Sequence, residues 1–203
     1  LFEKLGIKNI NELKIAAEEG KLRNVDTLGE KIEKNILKGI EFSIKAAKRM
    51  LIPDALATAE KIIEKLMVGS EEQISEAGSL RRRMETVGDI DILCASKNPK
   101  EITEKFCSLG KEVLVKGETK SSILTEEDIQ VDLRIVKENE FGSALQYFTG
   151  SKSHNIALRE LAHKLGFKIS EYGIFDIVTS KKVGGKTEEE IYKKLGMQMP
   201  VPE

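Results

Sequence analysis

GSLRRRMETVGDID, residues Gly78–Asp91, decides how the rest of the chain is read. Asp89 and Asp91 are one residue apart at the start of an apolar run, Ile90, Ile92 and Leu93. In a strand, residues i and i+2 point to the same side, so both carboxylates face one surface. A second strand-like run, QVDLRIV at Gln130–Val136, carries Asp132 between Val131 and Leu133. It supplies a third acid if the two strands pair. Three ionised carboxylates on one small surface repel strongly unless a cation lies between them. Oxygen donors without His or Cys favour Mg²⁺ over zinc. Upstream, Gly78 and Ser79 follow a strand-like piece, Ile74–Ala77, and open a short helical segment. Backbone N–H groups at such a turn suit a phosphate, and Arg81, Arg82 and Arg83 add positive charge. Acids for a metal facing a phosphate cradle imply nucleotidyl transfer.

Gly78-Ser79, Asp89-Ile90-Asp91 and Val131-Asp132-Leu133, in that order, resemble the nucleotidyltransferase superfamily pattern. The chain is more closely similar to family X DNA polymerases of the bacterial and archaeal type. That resemblance extends through Tyr147-Phe148-Thr149-Gly150-Ser151 and Ile169-Ser170-Glu171-Tyr172-Gly173, so it covers essentially the whole chain. A lone Asp-x-Asp is weak, but four ordered motifs in one chain are specific. The implied fold is α+β: a nucleotidyltransferase-type mixed palm sheet with helices. A small helical, helix-hairpin-helix-like unit and a small C-terminal α/β unit flank it. The expected division is a DNA-binding subdomain over 1–50, a catalytic palm over 51–137 and a nucleotide-selection subdomain over 138–203.

Composition bounds the partners. The chain has 203 residues, 40% hydrophobic and 33% charged, with a net charge of −1. This profile is that of a soluble globular protein, and any nucleic-acid binding must rest on local basic patches. No membrane-spanning run or signal peptide is visible. Cys94 and Cys107 lie in apolar surroundings without metal-type spacing, so they read as reduced, buried thiols in a cytoplasmic protein. The chain begins at Leu1 within a helical pattern and reads as a fragment. The resemblance implies that an N-terminal domain and a C-terminal phosphoesterase domain are lacking.

Helical patterns are expected at Leu1–Leu5, Ile10–Glu18 and Glu30–Phe42. Between them, Arg23–Lys31 resembles the hairpin of a helix-hairpin-helix motif, with Thr27 where its first Gly is expected. Gly29, Lys31 and Lys34 are then the phosphate contacts. Residues 1–50 hold eleven Lys/Arg against eight Asp/Glu, a mild basic bias, so a helical packing module with a solvated charged face remains the alternative. Pro53-Asp54 opens an amphipathic helix with Leu56, Ala59, Ile63, Leu66 and Met67 on one face. Lys100–Leu109 reads as a second helix and Val113–Leu124 as a hairpin. Helices at Phe141–Phe148 and Asn155–Leu165, a small sheet over residues 167–185 and a capped helix at Glu188–Leu195 follow.

The resemblance implies roles as well. Asp89 and Asp91 would bind two Mg²⁺ ions, with Mn²⁺ an alternative, and Asp132 would complete one site. Gly78, Ser79, Arg82 and Gly88 would hold the triphosphate, while Arg81 and Arg83 would meet solvent or the DNA backbone. Tyr147, Phe148 and Gly150 would pack under the incoming sugar, with Lys152 and Asn155 over the base and Arg159 at the template. The bland alternative for Tyr147 and Phe148 is closure of a helix onto the core. Arg134 would switch between Asp91 and the pair Glu171 and Tyr172 as the C-terminal unit closes, or else form a static ion pair. Some relatives have a basic residue after Pro53 and an Arg two before the third acid; here these are Asp54 and Gln130.

The implied function is short-gap repair synthesis on gapped or primer-template DNA, using deoxynucleoside triphosphates and requiring no evident protein partner. Template-independent nucleotidyl transfer and a catalytically silent repair-binding module are the alternatives. The Tyr147–Arg159 segment argues against the first, and the three retained aspartates against the second.

Overall fold

A computed structural model of the chain describes residues 6–25, 28–46, 49–68 and 72–202. It divides into two compact units, Leu1–Lys48 and Arg49–Glu203.

In the first unit, α1 (Ile10–Glu18) begins at Asn9, whose side chain accepts from the Glu12 N–H at 3.0 Å. Glu12 in turn accepts from the Lys8 N–H, just before the cap, which fixes the chain as it enters the helix. A 3₁₀ turn (Leu22–Asn24) leads towards α2 (Glu30–Ala46). Ala16, Ala17 and Leu22 form the buried centre, packed by Leu13, Ile36 and Leu37. Glu33 is almost fully covered and accepts two bonds from the Arg23 guanidinium, at 3.0 and 2.6 Å. The helix expected at Leu1–Leu5, and Thr27 of the expected hairpin, lie outside the described residues.

The second unit is built on a five-stranded sheet. In chain order it contains β1 (Met50–Leu51), α3 (Ile52–Met67), β2 (Gln73–Glu76), α4 (Gly78–Arg81), β3 (Thr86–Val87) and β4 (Ile90–Ala95). Next come α5 (Pro99–Cys107), β5 (Glu112–Val115), β6 (Lys120–Leu124) and β7 (Gln130–Val136). The sheet order is β2-β4-β7-β6-β5, with β4 and β7 parallel and the other pairs antiparallel. β1 and β3 form a separate two-stranded ladder.

Side-chain alternation sorts the two faces. Ile90, Ile92 and Cys94 of β4 and Val131, Leu133 and Ile135 of β7 enter one core, with Ala55, Ala59, Ile62 and Leu66 of α3 and Phe106 of α5. Met67 is 48% exposed, against the expectation that it shares the buried face of α3. The buried stripe runs through Ala55, Ala59, Ile62 and Leu66, and Met67, the next residue and the last of the helix, turns off it. The opposite face of β4 buries Leu93 and Ala95 against Phe141, Ala144 and Leu145. Asp91 has the parity of Leu93, so the acid lies on the face that the next helix covers. Both cysteines are buried and free.

That helix is α6 (Phe141–Thr149), followed by α7 (Lys152–Lys164), β8 (Phe167–Ser170), β9 (Gly173–Asp176), β10 (Lys182–Gly184) and α8 (Glu188–Lys194). The three strands form an antiparallel sheet. Leu158, Ala162, Ile169, Ile174, Ile191, Tyr192 and Leu195 make its core. Among the described residues no helix is long and apolar enough to cross a membrane.

Candidate active site

Register places the acids. In the parallel pairing of β4 with β7, Asp91 stands opposite Asp132, and Leu93 opposite Arg134. Asp89 precedes Asp91 by two residues, at the mouth of β4. Burial raises the Asp91 carboxyl to about 6, and repulsion from Asp89 and Asp132 adds to the effect. Asp89 is raised too, first by burial and then by Asp132. For Asp132 burial pushes upwards, but the hydrogen bonds it accepts from Gln130 and Lys120 win and hold it below the usual carboxylate range. Gln130 Nε2 donates to Oδ1 at 2.7 Å, and Lys120 Nζ lies 2.9 Å from Oδ2. Among the described residues, no three His, Cys, Asp or Glu side chains are gathered as a ready metal cage. All three acids are nonetheless hard oxygen donors that feel one another's charge, and this donor set fits a divalent ion.

Gly78 makes room for this arrangement. Its φ of +59° suits glycine, and a Cβ built there would meet Asp91 Oδ2 at 2.0 Å. The Ala77 N–H donates to the Asp91 carbonyl at 2.8 Å, tying the α4 turn to β4.

A cleft of about 510 Å³ is lined by Gly78, Ser79, Arg82, Asp89, Asp91, Tyr147, Phe148, Gly150, Ser151, Lys152, Asn155 and Arg159. The α4 turn, the acid strand and the α6–α7 junction therefore meet at one opening. Arg82 Nη1 donates to the Thr149 carbonyl. Tyr147 and Phe148 pack edge to face at 5.2 Å, and the Phe148 ring carries the Arg134 guanidinium at 5.0 Å. Gly150 has a φ of +72°, the Gly150–Ser151 peptide is cis, and Ser151 caps α7. Asn155 accepts from Gln146 and donates to the Tyr147 carbonyl, each at 2.7 Å, so it also locks α6 to α7.

Some placements differ from the sequence reading. Arg81 does not face solvent or DNA: it is largely buried and pairs with Glu188 and Thr149. The neighbouring Arg83 pairs with Glu76 at 2.7 Å and is half exposed. Arg134 makes no salt bridge with Glu171 among the described residues, and Tyr172 is 55% exposed. Lys120, Thr149, Ser151 and Glu188 were given no site role from the sequence, although Thr149 and Ser151 stand in a quoted motif and Glu188 opens the capped helix. Arg49 was given none either. This residue donates to the Thr86 hydroxyl at 2.8 Å and brings positive charge towards Asp89. In the first unit Lys31, Lys34, Asn35, Leu37 and Lys38 line a shallow basic pocket on α2, while Lys34 also pairs with Glu30.

Comparison with known proteins decides the family. The chain is 30% identical to repair DNA polymerase X of African swine fever virus (strain Badajoz 1971 Vero-adapted), over 64% of this chain and 79% of that one. The chain belongs to the family X DNA polymerases. It is also 36% identical over its whole length to the DNA polymerase/3′-5′ exonuclease PolX of Bacillus subtilis (strain 168), of which it spans 36%. Residues 144–203 match the family model described as DNA polymerase beta thumb. A polymerase beta of Leishmania infantum, solved as a ternary gap complex, shares the fold with a TM-score of 0.78 at 20% identity, covering 100% of this chain and 82% of that one. The nucleotidyltransferase-type α+β fold expected from the sequence is thereby borne out.

Proposed function

We propose that this chain is a template-directed polymerase core that adds deoxynucleotides to a primer 3′ end, in short-gap repair synthesis. The observation that carries the reading is the facing of Asp91 and Asp132 across β4 and β7, beside a cleft that also holds the α4 turn and the α6–α7 junction.

Asp89 and Asp91 would hold two divalent ions, Mg²⁺ or Mn²⁺, and Asp132 would complete the site nearer the primer hydroxyl. Bound there, the ions would lower the hydroxyl pKa and neutralise charge building on the α-phosphate and pyrophosphate. The Gly78–Ser79 backbone, Arg82 and Gly88 would orient the triphosphate, so that binding supplies position for in-line attack. Tyr147, Phe148 and Gly150 would sit under the sugar, where backbone close to the 2′ carbon disfavours a ribose hydroxyl. Lys152 and Asn155 would approach the base, and Arg159 the template strand. Gly29, Lys31 and Lys34 would contact DNA phosphates, making binding weaker as salt rises. The free, buried thiols support a reducing, cytoplasmic setting.

Extension of a gapped primer-template with one correct or one incorrect nucleotide tests the proposal, with Asp132→Ala as control. Template-matched addition by the wild type and its loss in the variant are expected. Addition without a template points to the template-independent reading, and no addition by the wild type rejects polymerisation.

A further inference from the structure

β6 contributes a cation to the acid cluster. Lys120 pairs with Arg134 in the β6–β7 register, while Ser122 is the partner of Asp132, so Lys120 reaches the acid along the diagonal. Its ammonium lies 2.9 Å from Asp132 Oδ2. Gln130 occupies Oδ1, leaving neither carboxylate oxygen without a donor. The buried Ser122 hydroxyl makes no full hydrogen bond of its own, yet lies close enough to favour the charged form of Asp132. The influence of Lys120 extends further, for its charge also favours ionised Asp89 and Asp91.

We propose that Lys120 is a built-in stand-in for the divalent ion: its ammonium occupies Asp132 in the metal-free protein and must withdraw when the ion binds. This rests on the reading of the three aspartates as a metal site. An ammonium and a divalent cation on one partly buried carboxylate repel each other, so one excludes the other. Two of the cluster's basic neighbours, Arg134 and Lys120, differ in their freedom to leave. Arg134 is held over the Phe148 ring, whereas Lys120 is 36% exposed and ends a flexible four-carbon stem that can swing into water. Lys120 thereby holds the acid in its reactive orientation without metal, and it sets how tightly the ion binds. It is a positioning residue.

Mn²⁺ titration followed by electron paramagnetic resonance, on the full chain without DNA, tests this. Lys120→Met should bind Mn²⁺ roughly fivefold or more tightly than wild type, in the usual range of site-to-site coupling. Lys116→Met, which removes an equal charge from an exposed pair with Glu104, should leave the affinity unchanged. Trace acylation with mass-spectrometric readout should find the Lys120 amine protected in EDTA and more reactive in Mg²⁺. Equal Mn²⁺ affinity in wild type and Lys120→Met, or tightening in Lys116→Met as well, overturns the stand-in role while leaving the metal site intact. Equal Lys120 acylation with and without Mg²⁺ also overturns it. Absence of Mn²⁺ binding in the wild type overturns both the stand-in role and the metal-site reading.

Discussion

Arg81 and Glu188, 107 residues apart in sequence, form a forked ion pair with Nη1–Oε1 at 2.8 Å and Nη2–Oε2 at 2.6 Å. Their side chains are only 16% and 10% exposed, and Arg81 Nη1 also donates to Thr149 Oγ1 at 2.8 Å. The pair joins the α4 turn to the first turn of α8 and the last turn of α6. Removing one member leaves the other charge buried and unmatched. Glu188→Ala should therefore destabilise the chain by about 3 kcal/mol, read by urea denaturation. A loss below ~1 kcal/mol would mean that water reaches the pair and screens it.

Gly78 is the tightest point of the cleft. Gly78→Ala drives a Cβ into Asp91 Oδ2 and strains a positive φ, so the carboxylate must move. Single-nucleotide insertion should fall by roughly a hundredfold, as expected when a reacting geometry shifts by about 1 Å. A variant with near wild-type kcat/KM contradicts this account of the turn.

The raised carboxyl of Asp91 links stability to pH in the unusual direction for an acid. Its folded pKa of about 6 lies above the ordinary carboxylate value of 3.8, so the folded chain holds the proton more tightly. The stabilising contribution is complete at low pH and is lost as pH rises through that window. At pH 7.5, without metal, Asp91→Asn should stabilise the fold by on the order of 2 kcal/mol while abolishing nucleotide insertion. At pH 4 the gain should vanish. Thermal melts in EDTA at both pH values check this, and a gain that persists at pH 4 points to packing instead. Since protons and the metal compete for these acids, half-saturation with Mn²⁺ should need more ion as pH falls through about 6.

Arg134 favours ionised Asp91 and stacks on Phe148. Arg134→Ala should move the acidic limb of the insertion pH profile upwards and lower kcat/KM about tenfold, a modest loss of electrostatic support. Unchanged kinetics would remove both this role and the proposed change of partners with Glu171 and Tyr172.

Short-range patterns carried much of the reading. Alternation in Gln130–Val136 matched β7 residue for residue, and the helix at Ile10–Glu18 matched α1. Where an end shifted, a local cap explains it: α7 starts at Lys152 rather than Asn155 because the Ser151 hydroxyl accepts from the His154 N–H. Parity also placed Asp89 and Asp91 on one face, whereas Asp132 joined them only through the pairing of β4 with β7.

The sequence by itself determined the strand character of the two acid runs and the turn at Gly78-Ser79, because each rests on neighbours a few residues apart, and pointed to the family through the order of whole motifs along the chain. Only the tertiary structure decided that Arg81 is buried against Glu188, that Lys120 lies on Asp132, and that Asp91 is shifted to about 6. Those outcomes depend on strand register and on burial between remote segments, where charges interact through a medium that excludes water, and no local spacing encodes them.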